Sequence, residues 1–294
     1  MITRIILLVM LLGHVCTPSA EAAEYGIALA STPVLNSPDF KAVFGGWDGQ
    51  NLKSDRCGQV RELEYIALPG SVFTIVDKLH SGPVNIYQVE SEEYKALPNV
   101  RLYVESRFIK LERVIPAPRK LLLPPREKIV STLRASVGNP YVWGGNVPEG
   151  VPELAEWYYK NIREDDKKRL TLAGLDCSGL LYSATGGWTP RNTHQLIAFG
   201  QGVAIAGKEA ADILPLLQPL DLIVWNGHVI IVLDQHTAIE SRLACGKPGN
   251  GGVVMTQLSR RIDEIMRTRR TANSWPSVKK RQDLFVVRRW HAMQ

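Results

Sequence analysis

Residues 174–187 read GLDCSGLLYSATGG. Asp176 stands directly before Cys177, the apolar residues Leu180-Leu181-Tyr182 follow, and the run stops at Gly186-Gly187. That order predicts a short helix over Cys177–Ala184, with an acidic cap in front and a glycine pair behind. A free thiol ionises near pH 8.5, about the top of the working range of most enzymes. The unpaired N–H groups and macrodipole at a helix start favour the thiolate, and the same N–H groups suit an oxyanion. Cys177 therefore reads as a candidate nucleophile, against the plainer alternative of a buried thiol that only packs. Asp176 has two readings of equal weight, a helix cap and a ligand for a substrate cation. Ser178 has no base of its own nearby and reads as a polar neighbour.

A cysteine nucleophile needs a base, and the base needs an orienting group. His228 opens the apolar strand HVIIVL, right after Asn226-Gly227, so its polar ring sits at the edge of a buried strand. His194 falls in a loop or short helix and His236 in a turn. His80 and His291 lie far from this region and read as surface residues. Glu240 follows His228 by twelve residues. If the two flank a hairpin whose paired residue numbers sum to an even value, their side chains share a face. A carboxylate there holds the second imidazole N–H and stabilises the imidazolium. Taken singly, each of these residues is more often structural.

The first residues are no part of the fold. Met1–Arg4 is a short positive start, Ile5–Leu12 is unbroken apolar chain, and Ala20-Glu21-Ala22 is a small-residue cleavage signal. Residues 1–22 thus read as a secretory signal peptide, too short to span a bilayer. Cys16 lacks the preceding residues of a lipid-attachment site. The expectation is an exported protein, periplasmic or secreted, with no stable membrane insertion after cleavage. Export leaves Cys57, Cys177 and Cys245. Three is odd, so at least one is free; a Cys57–Cys245 bridge and three unpaired thiols stay equally open. No zinc-ligand spacing occurs, and no metal or organic cofactor is expected.

The chain has 294 residues, 45% hydrophobic and 22% charged, which suits one large or two modest globular domains. The net charge of +6 is concentrated after Leu258, where ten Lys/Arg face three acids. That segment reads first as a solvated face and second as a contact for an anionic envelope surface; nucleic acid is not the expected partner. Residues 24–112 hold SVFTIVDKL, VNIYQVE and VRLYVESRFIKL, punctuated by Gly45-Gly46, Pro69-Gly70, Ser81-Gly82-Pro83 and Leu97-Pro98-Asn99. Such spacing predicts a small β-barrel. Pro116, Pro118, Pro124 and Pro125 mark a stiff linker over 113–125. A helix begins near Pro125 in REKIVSTLRASVG, and a second one starts at Pro152. Strands follow in LDLIVWNGHVIIVLDQHTAIESRL, with a tight turn near Asp234–Thr237, and again in DLFVVRRW.

The segments PYVWGG, LDCSGL, PRNTHQ, PLDLIVWNGHVIIVL and AIES, in this order and spacing, resemble the motif set of the NlpC family of cell-wall cysteine peptidases over about residues 126–290. The upstream barrel resembles the bacterial SH3-like domains that often accompany it. The resemblance implies an α+β chain: a papain-like catalytic domain over 126–294 preceded by an SH3-like β-barrel. It implies Cys177 as nucleophile, His228 as base and Glu240 as the third polar residue, a position often held by His. Tyr141 resembles the active-site tyrosine. Asp176 and Ser178 match pocket-lining positions of members that read a free amino terminus, and Arg191 matches the PR motif. The implied substrate is the peptidoglycan stem peptide, cut between D-γ-glutamyl and a diamino acid. Rival readings are an acyltransferase or lipid hydrolase on the same fold, and a non-catalytic wall-binding protein. Two departures stand out. Leu220 replaces the frequent Gly of a PGDL segment, and residues 146–172 form a long insertion, either a flap over the site or a surface elaboration.

Overall fold

A computed structural model describes residues 24–247, 250–276 and 283–291. The signal segment with Cys16, and the basic residues Lys279, Lys280 and Arg281, lie outside the described residues. The architecture is mixed α/β, with mostly antiparallel sheets.

The β-branched runs of the first half become a seven-stranded antiparallel sheet. Its spatial order is Leu63–Ala67, Thr32–Leu35, Leu102–Glu105, Val84–Glu90, Val72–Ser81, Glu24–Ala28 and Ile109–Glu112. The run VRLYVESRFIKL is not one strand: a 3-10 turn at Ser106–Phe108 breaks it, so that its two ends reach different neighbours. The expected barrel is not closed by strand pairing, since no ladder joins the two edge strands among the described residues. One edge has a different partner. The Asn146 side chain accepts from the Ile66 N–H (3.0 Å) and donates to the Ile66 carbonyl (2.8 Å), tying the edge of Leu63–Ala67 to the second half. A single amide side chain thus satisfies backbone groups that would otherwise be an open edge.

The 146–172 insertion is neither a flap nor a free surface feature. Leu154 and Leu170 of its helices Pro152–Tyr158 and Glu164–Leu170, with Val151, Tyr159 and Leu172 beside them, enter the core of the first sheet. Trp157 packs on Phe108 with ring centroids 4.7 Å apart, and Tyr158 on Phe44 at 5.5 Å. The insertion is a strut, held by the same burial that holds the sheet.

The second sheet runs Gln201–Gly202, Leu284–Arg289, Leu222–Trp225, His228–Val232, Thr237–Leu243, Gly251–Gln257. Apart from His228, the strands Leu222–Trp225 and His228–Val232 are apolar throughout, because both of their faces are covered. Val229, Ile231 and Ile239 meet Ile129 and Leu133 of the helix Arg126–Ala135 and Leu180 and Leu181 of the helix Cys177–Ala184. On the other face Ile230, Val232 and Ala238 meet Leu258, Ile262 and Ile265 of the helix Leu258–Met266. The spacing i, i+4, i+7 of those three residues is the helical stripe that burial against a sheet requires.

Candidate active site

The helix Cys177–Ala184 starts at Cys177, as the sequence pattern predicts, and Asp176 caps it by accepting from the Gly179 N–H at 2.6 Å. The helix start is pressed against the YVWGG segment: Asp176 donates its backbone N–H to the Gly145 carbonyl at 2.9 Å. A Cβ on Gly179 would lie 2.0 Å from that same carbonyl oxygen, so only glycine allows the approach. Cys177 is the free cysteine of the described residues and is 7% exposed; its thiol lies 3.9 Å from the Gly227 carbonyl oxygen. Cys57 and Cys245 form a disulfide, which settles the open pairing.

His228 and Glu240 project from one face, as the register dictates: Ile231 pairs with Ile239 and Val232 with Ala238. His228 Nε2 lies 2.7 Å from Glu240 Oε2. Burial disfavours a charged imidazole, but hydrogen bonds and charge from Cys177 and Glu240 outweigh it and raise His228 to about 9. Since Nε2 is taken by Glu240, Nδ1 is the nitrogen left for the thiol. Glu240 is fully buried. Burial pushes its carboxyl up, yet the bonds from His228 and Arg261 prevail and hold it at about 2. Arg261, on the helix Leu258–Met266, binds both oxygens: Nε to Oε1 at 2.7 Å and Nη2 to Oε2 at 3.0 Å. Arg242 Nη1 stands 3.7 Å from Oε1. Sequence reasoning missed Arg261. The apolar stripe around it marks a helix, but nothing in the chain tells which sheet residue that helix covers.

A pocket of about 120 Å³ opens beside the thiol, lined among others by Cys177, Ser178, Tyr141, Trp143, Tyr94 and Glu64. A larger cavity of about 590 Å³ lies on the first sheet and contains neither the thiol nor the imidazole, so chemistry selects the smaller one. Tyr141 is buried, and burial with the neighbouring Asp176 and Cys177 charges raises its phenol, which stays a donor. Its backbone carbonyl and the Trp143 N–H are held by Gln59, at 3.4 and 2.8 Å, and Arg61 lies over the Trp143 ring at 4.4 Å. The Cys57–Cys245 disulfide anchors the loop that carries these residues.

Arg191 and Asp176 come together as a buried pair. Arg191 Nη2 donates to Asp176 Oδ2 at 2.6 Å and Nη1 to Oδ1 at 3.0 Å, while Nη1 also reaches Ser178 Oγ (2.9 Å) and Nε reaches Asn146 Oδ1 (3.0 Å). Burial opposes the Arg191 charge, but Asp176 more than restores it. Both oxygens of Asp176 are therefore occupied, and its cap role and its pairing with Arg191 account for it. The carboxylate that remains is Glu64. Its partners are neutral, Tyr94 Oη at 2.6 Å and Asn36 Nδ2 at 2.8 Å, and it has no ion pair among the described residues. Glu62, by contrast, pairs with Lys53 at 2.6 Å.

The other histidines lie elsewhere. His194 is in the short helix Thr193–Leu196, with its imidazole pushed down by burial and by Lys95. His236 occupies the turn, His80 pairs with Asn85, and His291 lies 3.7 Å from Asp221. Among the described residues no group of three or more His, Cys, Asp or Glu is placed to hold a metal, and no helix is long and apolar enough to cross a membrane.

No protein-family profile and no curated protein matches the chain. Solved structures do show a likeness. An NlpC/P60 family protein of Bacillus cereus is 14% identical with a TM-score of 0.33; the match covers 92% of this chain but only 64% of that one. RipD of Mycobacterium tuberculosis, described as a non-catalytic NlpC/p60 domain protein adapted to peptidoglycan binding, is 19% identical with a TM-score of 0.29, over 46% of this chain and 95% of that one. NlpC2 of Trichomonas vaginalis is 14% identical with a TM-score of 0.31, over 90% and 72%. These likenesses are too distant to transfer a residue or an activity.

Proposed function

We propose that the protein is an exported cysteine peptidase that hydrolyses peptidoglycan stem peptides, with residues 126–294 as catalytic unit and 24–112 as an SH3-like unit closing one end of the cleft. The observation that carries the reading is the 2.7 Å bond from His228 to a fully buried Glu240, beside a free thiol at a helix start. A buried carboxylate–imidazole pair is costly to desolvate and has no evident packing purpose.

The Cys177 thiolate attacks the scissile carbonyl. The first-turn N–H groups of the helix Cys177–Ala184 offer donors to the oxyanion. The imidazolium of His228 passes its Nδ1 proton to the leaving amine, which departs as the thioester forms. Water, deprotonated by His228, then adds to the thioester, and the thiolate leaves as the carboxylic acid product is released. Glu240 orients the ring and stabilises its charged form. Tyr141 offers its phenol to the bound peptide, and Ser178 and Arg191 shape the pocket wall.

The bond cut in this reading is D-γ-glutamyl to the diamino acid, in peptides with a free amino terminus. Glu64, a pocket carboxylate among neutral partners, takes the substrate ammonium. The test is mass spectrometry of soluble stem peptides after incubation with the protein and with Cys177→Ala. Dipeptide release by the unmodified protein alone supports the reading. Peptide binding without any cleavage would leave a wall-binding protein instead.

A further inference from the structure

The Glu240 carboxylate has three neighbours, and they do not play equal parts. Oε2 is shared between His228 Nε2 (2.7 Å) and Arg261 Nη2 (3.0 Å), and Oε1 is taken by Arg261 Nε (2.7 Å). The Arg242 contact is single, longer at 3.7 Å, and its side chain is 43% exposed against 15% for Arg261. A carboxylate on a freely turning terminal torsion presents no fixed oxygen to a ring nitrogen. A planar fork that grips both oxygens fixes the plane. The helix Leu258–Met266 that supplies the fork is itself seated by Leu258, Ile262 and Ile265 in the second core, and its first N–H donates to the His236 carbonyl at 2.8 Å.

We infer that Arg261 is a positioning residue of this site: its bidentate grip sets Glu240 Oε2 against His228 Nε2 and so turns Nδ1 to Cys177. The inference rests on the reading of Cys177, His228 and Glu240 given above. The groups facing the carboxylate are His228 from the neighbouring strand, Arg242 from its own strand and Arg261 from the helix. Glu264 lies behind the fork, 3.3 Å from Arg261 Nη1, and Cys177 lies beyond the ring. A thiolate–imidazolium pair is neutral as a unit, so removing one cation from behind Glu240 has little direct effect on it. The effect travels through the carboxylate.

The experiment is the rate of Cys177 alkylation by iodoacetamide from pH 4 to 9, read by peptide mapping without any substrate. The proteins are wild type, Arg261→Met, Arg261→Lys, Glu240→Gln and the double variant Glu240→Gln/Arg261→Met, each checked for folding by circular dichroism. Arg261→Met is expected to slow alkylation at pH 6 by about tenfold, equivalent to a shift of about one unit in the acid limb. Arg261→Lys keeps the charge but loses the fork, and restores only part of the rate. In the Glu240→Gln background the Met substitution changes the rate less than about twofold, because the two act as one unit. A wild-type profile in Arg261→Lys and Arg261→Met overturns the inference, as does an undiminished Met effect in the Glu240→Gln background. If Arg261→Met does not fold, the Lys profile decides alone. Because no peptide is cut in this assay, a chain that cleaves no stem peptide yet shows this pattern refutes the peptidase reading and leaves Arg261 in its role.

Discussion

Cys177 is expected to be the thiol that reacts in the native protein. Cys57 and Cys245 are joined, so without reductant brief alkylation at neutral pH should label Cys177 and spare the other two. Labelling of Cys57 or Cys245 at a similar rate would contradict this. Glu240→Ala should lower activity on the order of 10²–10⁴-fold, mainly in kcat, since it removes the orientation of the base. His236→Ala should be near neutral, because that residue lies exposed in a turn and bonds Asp234 and Leu258 through its backbone. The same pair predicts a pH window for stability. His228 rises from 6.5 to about 9 in the fold, so its contribution is complete below 6.5 and is lost as pH climbs through 9. Glu240 falls from 4.5 to about 2, so its contribution is complete above 4.5 and is lost as pH drops through 2. The stability gap between wild type and His228→Gln, from urea titrations, should therefore be widest near pH 5–6 and should shrink by pH 9. A gap independent of pH would mean that the ring does not gain its proton on folding.

At the scale of elements, the departure at Leu220 has a physical reading. Leu220 sits in the turn before the strand Leu222–Trp225 with φ +71°, a left-handed conformation that favours glycine. Its N–H donates to the Val232 carbonyl at 2.7 Å and its carbonyl accepts the Trp290 indole N–H at 2.9 Å, so the turn is held from both sides. The Leu side chain is fully buried in the core against the helix Cys177–Ala184. Leu220→Gly relieves about 1 kcal/mol of backbone strain. It removes a buried side chain worth roughly 2–5 kcal/mol. The net expectation is a loss of about 1–4 kcal/mol in denaturant titration, and a gain would mean that the strain outweighs the packing. Patterning alone made several elements legible here: the helices at Cys177 and Pro152 begin where the sequence predicts. The break at Ser106–Phe108 was not legible, because a strand that changes neighbours keeps its β-branched composition through the change.

At the scale of the whole molecule, the two halves meet at the pocket. Glu64 and Tyr94 come from the first, Cys177 and Tyr141 from the second, and Asn146, the disulfide and Gln59 bind them together. That arrangement puts Glu64 in the pocket wall. Acetylating the terminal amine of a stem peptide should slow its cleavage by about one to two powers of ten, the value of a charge-assisted contact of roughly 1.5–3 kcal/mol. Glu64→Gln should erase most of that discrimination, whereas Glu62→Gln, whose partner is Lys53, should leave it intact. Equal cleavage of both peptides by wild type would show an open end.

The chain by itself determined what local chemistry and periodicity decide. A capped helix start at Cys177 and the shared parity of His228 and Glu240 follow from spacing alone, because a helix repeats every 3.6 residues and a strand every two. Only the tertiary structure decided which distant groups meet. Asp176 had a cap and a cation-binding role in equal measure until Arg191, fifteen residues on, occupied its oxygens. The insertion over 146–172 had no assigned place until its apolar residues entered the core of the first sheet. Arg261 reaches Glu240 only because one helix lies across two strands. Such contacts depend on how whole elements pack, and the burial that drives packing is non-directional. It leaves in the sequence the faces that are covered, and no mark of what covers them.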